Sequence, residues 1–187
     1  MAVRALIAED ERLIALALRL GLESQGYEVV GVAGTGTEAL NLFSLASPHI
    51  VLMDVRMPGM DGIDATRALM QEHPACVVIV SGSREPSQIA RAERAGAMDY
   101  VVKPFEAHQM RPVLERAQRR FERFMAIRRD AGGNTQEALE AWLAVHRAVK
   151  VLMETSEISE DEAYHELQQR ALGRAISLRA AADSLGK

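Results

Sequence analysis

The 187-residue sequence predicts an α/β protein, a parallel sheet covered by helices on both faces, followed by a small all-helical region. Three observations carry this. Short apolar runs alternate with amphipathic stretches five times over residues 3–105, the pattern of repeated strand–helix units. The run around Ile50-Val51-Leu52-Met53 is apolar on both alternations, as a strand buried on both faces must be. After the Gly132-Gly133 break, only helical periodicity remains.

The elements follow in order. Residues 3–8 form the first strand, ending in Glu9-Asp10. A helix from about Glu11 to Gln25 follows, with Leu13, Ala17, Leu20 and Leu22 expected to face inward and Gly26 stopping it. Residues 27–33 read as the second strand and 37–46 as the second helix. Pro48 then precedes the strand that ends in Asp54 and a Pro58-Gly59 loop. The third helix spans 63–72, and the fourth strand is Cys76-Val77-Val78-Ile79-Val80, closed by Ser81. A helix over 86–95 is closed by Gly96, and the fifth strand, 98–102, ends in Lys103-Pro104. Short connections of this kind restrict the topology to parallel neighbours.

Strand ends in an open parallel sheet are where ligands bind. Glu9, Asp10 and Asp54 therefore meet at one edge, with Ser81 and Lys103 beside them. Three carboxylates repel one another and call for a cation; an oxygen-only set suits Mg²⁺. A lysine and a hydroxyl supply what phosphoryl oxygens need, so Asp54 reads as a carboxylate nucleophile that becomes an aspartyl phosphate. Taken singly, each residue has a plainer reading. The Glu9-Asp10-Glu11 acids suit a helix N-terminus, Lys103-Pro104 an ordinary turn, and Ser81 a turn hydroxyl.

Together, Glu9-Asp10, the run from Met53 to Gly62, Ser81-Gly82 and the run from Gly96 to Phe105 resemble the receiver domain of two-component response regulators. The resemblance implies a flavodoxin-like, doubly wound five-stranded sheet with Asp54 as phosphoacceptor. It implies Mg²⁺ on Glu9, Asp10, Asp54 and the Arg56 backbone carbonyl, and no other cofactor. Lys103, Ser81 and Tyr100 become switch residues, a cis peptide precedes Pro104, and Arg56 and Ser83 tune phosphoryl lifetime. The donor would be a histidine kinase.

Beyond Phe105 the fifth helix overruns the sheet. Met110, Leu114, Ala117, Phe121 and Phe124 recur at spacings of three and four, a coiled-coil-like seam, and a homodimer on phosphorylation is expected through this helix or the face beside Tyr100. Pro112 is a local misfit near the helix start. Seven arginines from Arg111 to Arg129 cover the rest, most simply a solvated face, otherwise a nucleic-acid or dimer contact. The sequence divides into a receiver over 1–125 with its extended last helix, a helical, Gly-containing linker over 126–136, and a three-helix domain over 137–187.

In that last domain Leu139, Trp142, His146, Val149 and Met153 form the expected stripe of the first helix. Ser159 and Glu162 have the spacing of a capping box opening the second, whose inward side holds Ala163, Leu167 and Ala171. The third is expected over 174–185, with Ala175, Leu178, Ala182 and Leu185 apolar. Residues 147–153, 158–167 and 171–172 resemble the ANTAR output domain, a helical RNA-binding module of transcription antitermination regulators. The sequence departs from that family at its Ala-Lys-Gly, which reads Ala148-Val149-Lys150 here. An RNA hairpin is the implied partner, with Arg147, Lys150, Arg170 and Arg174 as candidate contacts. A signalling adaptor that binds protein or only dimerises is the alternative.

Charge tempers the RNA reading. With 22 basic and 26 acidic side chains the net charge is −4. Residues 131–187 carry 6 basic and 9 acidic side chains, a net of −3, which gives no broad attraction for nucleic acid. Arg4 and Glu9 leave no apolar signal segment, no run approaches the roughly 20 residues of a membrane span, and the single Cys76 cannot form an internal disulfide. A cytoplasmic protein without membrane contact is expected. A free-standing phosphatase would need a substrate pocket the motifs do not supply, so the expectation is a regulator and no enzyme.

Overall fold

A computed structural model of the protein describes residues 2–105 and 107–185. Five strands alternate with helices along the first part of the chain: β1 (Arg4–Ala8), α1 (Arg12–Ser24), β2 (Glu28–Ala33), α2 (Gly36–Ala46), β3 (Ile50–Asp54), α3 (Gly62–Glu72), β4 (Val77–Ser81), α4 (Pro86–Ala95) and β5 (Asp99–Val102). Four further helices follow: α5 (Ala107–Asp130), α6 (Thr135–Ser156), α7 (Glu160–Arg174) and α8 (Leu178–Asp183). Two compact units result, Met1–Arg123 and Phe124–Lys187, with the division falling inside α5.

In the first unit all strand pairs are parallel and the order is β2-β1-β3-β4-β5. β3 lies at the centre, and all five of its residues are buried, which accounts for its unbroken apolar run. Its register pairs Asp54 with Val80, while β4 pairs Ser81 with Val102. The polar residues at these strand ends are thereby brought to one edge. Cys76 is buried just ahead of β4, and burial pushes its thiol pKa up, with Asp99 and Glu122 adding to the shift.

The inward face of α1 differs from expectation. Ala15, Leu18 and Leu22 are buried, whereas Leu13 is 82 % and Leu20 59 % exposed, and Ala17 is exposed too. The helix is apolar over more of its circumference than the sheet can cover, so hydrophobicity alone does not select the buried stripe. In α5, Met110, Leu114 and Ala117 are fully buried inside the chain, so they form no free seam. Two of its arginines are likewise no solvated face. Arg116 Nε donates to Asp99 at 2.7 Å, and Arg120 pairs with the same carboxylate at 3.4 Å while donating to the Met98 carbonyl at 2.9 Å. α5 continues through Pro112 and on to Asp130, so residues 126–130 are helical and Ile127 is buried.

In the second unit α6 packs against α7 and α8, and α7 against α8. The buried face of α6 is Ala138, Ala141, Trp142, Ala144, Val145, Ala148, Val149 and Leu152. Trp142 and Val149 lie where the stripe put them. Leu139, His146 and Met153 are only half-buried, His146 stacking on Trp142 with ring centroids 5.4 Å apart. Small side chains let the helices approach, and the alanines therefore displace the larger residues from the interface. Asn134 caps α6 by accepting from the Glu137 N–H, and Ser159 with Glu162 completes the expected capping box of α7.

The last helix is shorter than expected. Ala175 adopts φ 51° as the C-cap of α7, and Ser177 caps α8 by accepting from the Ala180 N–H at 3.1 Å. Arg174 therefore closes the second helix of the bundle instead of opening the third. Ala181 and Ala182 are buried, whereas Ala175 is exposed.

Candidate functional site

Asp54 ends the central strand and is 6 % exposed. Its Oδ1 accepts from Lys103 Nζ at 2.7 Å, and its Oδ2 from the Arg56 backbone N–H at 2.6 Å. Lys103 Nζ also donates to Glu9 Oε2 at 2.6 Å. One ammonium thus ties the ends of β1, β3 and β5 together. The Lys103 backbone N–H donates to the Ser81 carbonyl at 2.7 Å, which brings in the end of β4. The Lys103-Pro104 peptide is cis, as the resemblance implied.

Electrostatics follow from burial and pairing. Burial would lower the Lys103 pKa, but the hydrogen bonds to Asp54 and Glu9 outweigh it and hold it above its ordinary value. Glu9 is raised, chiefly by burial and also by the nearby Asp54 charge, against the opposing hydrogen bond from Lys103. Its Oε1 is buried with no hydrogen-bond partner. Carboxylate oxygens of Glu9, Asp10 and Asp54 lie within 4.8 Å of one another, Asp10 being the exposed member. An orphaned buried oxygen within a group of carboxylates fits a hard divalent cation such as Mg²⁺.

Ser81 is buried, and its Oγ accepts from the Ser83 N–H at 3.2 Å and from Gln88 Nε2 at 3.0 Å. The Tyr100 hydroxyl donates to the Ser83 carbonyl at 2.8 Å, so the ring is both packed against the core and held at the loop after β4. Strand-end geometry thus brings together Glu9, Asp10, Asp54, Ser81 and Lys103. The candidate RNA contacts are placed differently. Arg147 and Lys150 are exposed on adjacent turns of α6, and Arg170 and Arg174 are exposed on the last turns of α7, Arg170 pairing with Glu166.

Two residues of the site carry no role in the sequence reading. A Cβ on Gly62 would stand 1.8 Å from the Asp54 carbonyl oxygen, so the α3 N-terminus can close on β3 only with glycine there. Gln88 reaches Ser81 from α4. Gly62 sits in the Met53-to-Gly62 run, which marks it; Gln88 has no local signal, being seven positions away across a loop.

Comparison with known proteins agrees with this geometry. Residues 5–115 match the response regulator receiver domain, and residues 133–185 match the ANTAR domain. The chain is 37 % identical over 180 residues to the transcriptional regulatory protein PdtaR of Mycobacterium tuberculosis, covering 96 % of this chain and 87 % of that protein. It is 35 % identical over 117 residues to the chemotaxis protein CheY of Thermotoga maritima, covering 62 % of this chain and 98 % of that one. Among solved structures, the signal receiver domain of a modulated diguanylate cyclase from Desulfovibrio desulfuricans superposes with a TM-score of 0.61 at 31 % identity, over 65 % of this chain and 98 % of that one. The receiver domain of the response regulator NarL from Mycobacterium tuberculosis gives 0.60 at 32 % identity, over 63 % and 97 %. With both matches in sequence order and a relative aligned over nearly its whole length, the chain belongs to the response regulators that join a receiver domain to a C-terminal ANTAR domain.

Proposed function

We propose that the protein is a phosphorylation-controlled response regulator that acts in transcription antitermination by binding RNA hairpins, and that it is a switch and no enzyme. The observation that carries the first half is the Asp54 carboxylate at the tip of β3, held by the Lys103 ammonium beside the Glu9 carboxylate, whose Oε1 has no partner. An Asp54 oxygen attacks the phosphorus of a histidine kinase's phosphohistidine; the P–N bond breaks and the imidazole leaves with the electron pair. Glu9, Asp10 and Asp54, with the Arg56 carbonyl as the resemblance implies, are the residues that would hold Mg²⁺, which offsets the charge of the incoming phosphoryl group. Lys103 and Ser81 then meet phosphoryl oxygens, and Tyr100 follows the loop after β4 to which it is bonded. Supporting delivery by a partner protein, an apolar groove of about 410 Å³ beside Lys103 is lined by Leu13, Ala17, Pro104 and Met110.

The test is uptake of one base-labile phosphoryl group from acetyl phosphate with Mg²⁺. Asp54→Asn is expected to abolish it, because the amide is no nucleophile; undiminished labelling would move the acceptor elsewhere. Phosphorylation is expected to favour a dimer. Met110, Leu114 and Ala117 are buried in the protomer, which favours the face beside Tyr100 as the expected interface. Light scattering on both states decides that. Work in the cytoplasm, beside a kinase, belongs to the same reading. Among the described residues no helix is long and apolar enough to cross a membrane.

For the output, Arg147 and Lys150 are exposed on α6, so their replacement by Ala is expected to weaken hairpin binding without unfolding. Each phosphate-binding cation removed should flatten the slope of log affinity against log salt by about 0.7 to 0.9. One observation favours the adaptor reading: Val149, at the position of the family's lysine, is 3 % exposed and faces the interior. Gel shifts with hairpin RNAs at low salt separate the two. No shift with the phosphorylated protein leaves the bundle as a protein-binding module.

A further inference from the structure

We propose that Gln88 is a positioning residue that keeps the Ser81 hydroxyl proton free for the phosphoryl group on Asp54. The inference rests on the reading of Asp54 as phosphoacceptor and adds a residue on α4 to it. A serine hydroxyl has two acceptor lone pairs and a single proton to donate. Both of its acceptor positions at Ser81 are filled, by the Ser83 N–H at 3.2 Å and by Gln88 Nε2 at 3.0 Å. What remains to this buried oxygen is donation. A hydroxyl so fixed cannot rotate to accept from the phosphoryl side, where only oxygens arrive, and it loses no hydrogen bond when it donates there.

Gln88 suits the task because its amide nitrogen is a donor without charge, so it fills the lone pair without drawing the phosphoryl group toward itself. It also makes α4 part of the site. Gln88 lies in the first turn of α4, which begins at Pro86, and Ser83 bonds the Tyr100 hydroxyl through its carbonyl. Ser81 is thus held by two groups, of which one belongs to the helix and the other to the residue that holds the aromatic ring. When the phosphoryl group draws the hydroxyl toward Asp54, both are pulled with it. The coupling runs through hydrogen bonds already in place.

The test uses two variants of the full-length protein, labelled with acetyl phosphate and Mg²⁺. Gln88→Met keeps the side chain's length and removes the donor. Gln88→Glu keeps the shape and reverses the polarity, since a carboxylate accepts the Ser81 proton and turns it from Asp54. Phosphorylation of Asp54 is expected to slow in the order wild type, Gln88→Met, Gln88→Glu, with the last about three- to tenfold slower, the range set by one ordinary hydrogen bond. A new negative charge near Asp54 would slow labelling by itself, so both variants are repeated with Ser81→Ala. If Gln88 acts through Ser81, neither has a further effect there beyond the bare charge effect of Gln88→Glu, and Gln88→Met becomes silent. Equal rates for Gln88→Met and wild type overturn the proposal, as does a Gln88→Met effect that persists without the Ser81 hydroxyl. Absence of labelling in the wild type removes the reading of Asp54, and the Gln88 role with it. Normal wild-type labelling with indifferent Gln88 variants removes the Gln88 role alone.

Discussion

The two units bury different kinds of side chain, and their functional residues differ accordingly. The sheet is filled by Leu6, Ile7, Ile50, Val51, Leu52, Val77, Val78 and Ile79, and its candidate site sits at strand ends that pairing places to within a residue. The bundle is filled largely by alanine, at 138, 141, 144, 148, 163, 171, 181 and 182, with a few large residues such as Trp142, Tyr164 and Leu167. Its candidate RNA-binding residues ride on exposed helix faces. In the first unit, hydrogen-bond register fixes where the candidate site lies; in the second, a few large side chains hold the helices, and the candidate contacts lie on faces that packing does not use. The difference predicts where substitution hurts.

The largest effect is expected at Trp142. It is 4 % exposed in a core made largely of alanine, so Trp142→Ala should cost about 3–5 kcal/mol in denaturant unfolding of the C-terminal unit. A cost under about 1 kcal/mol would mean that the alanines carry the bundle without it. Next comes Gly62→Ala. The added methyl meets the Asp54 carbonyl at 1.8 Å, and a loss of about 3 kcal/mol is expected together with impaired phosphoryl uptake. Full stability in this variant would show that α3 can draw back from β3.

Ser159→Ala isolates a helix end in the bundle. Loss of the capping box should cost about 1 kcal/mol in thermal or denaturant unfolding. The same box gives a pH signature. Hydrogen bonds from the Ser159 side chain, and then from its backbone, hold the Glu162 pKa below its ordinary 4.5. A lowered folded pKa contributes stability that is present above 4.5 and is lost as pH falls through the folded value. The difference between wild type and Ser159→Ala should therefore narrow on acidification; a gap that widens would place the effect elsewhere. Smallest is Gly173→Ala, in α7 with nothing within 4 Å of the added methyl, where a gain of about 0.5 kcal/mol is expected. The opposite signs at Gly62 and Gly173 sharpen the contrast between the units.

What the sequence discloses follows the same division. A strand buried on both faces reads as an unbroken apolar run, and its terminal polar residue can point only at the sheet edge. Glu9, Asp10, Asp54, Ser81 and Lys103 are therefore all legible from spacing. Helix faces are harder. Leucines mark a stripe and so assign Leu13 and Leu20 inward, yet the sheet covers Ala15, Leu18 and Leu22. In α6 an apolar stripe favours the larger Leu139 and Met153 over Ala138 and Ala148, although alanine is what close helix packing selects. Ala175 carries no sign of its left-handed conformation, since glycine or asparagine is the usual mark of such a cap. Gln88 is unreadable because its partner is reached through space and no period of helix or strand links them.

Cys76 has a practical consequence. It is the chain's single thiol, 2 % exposed and with its pKa pushed up by burial, so it offers alkylating reagents neither access nor thiolate. Native protein can then be labelled at introduced cysteines without first removing the natural one. Glu72→Cys on α3 and Glu154→Cys on α6 are exposed attachment points, one in each unit. A pair of spin labels there would report the distance between the units before and after phosphoryl uptake, on a protein whose interior is untouched.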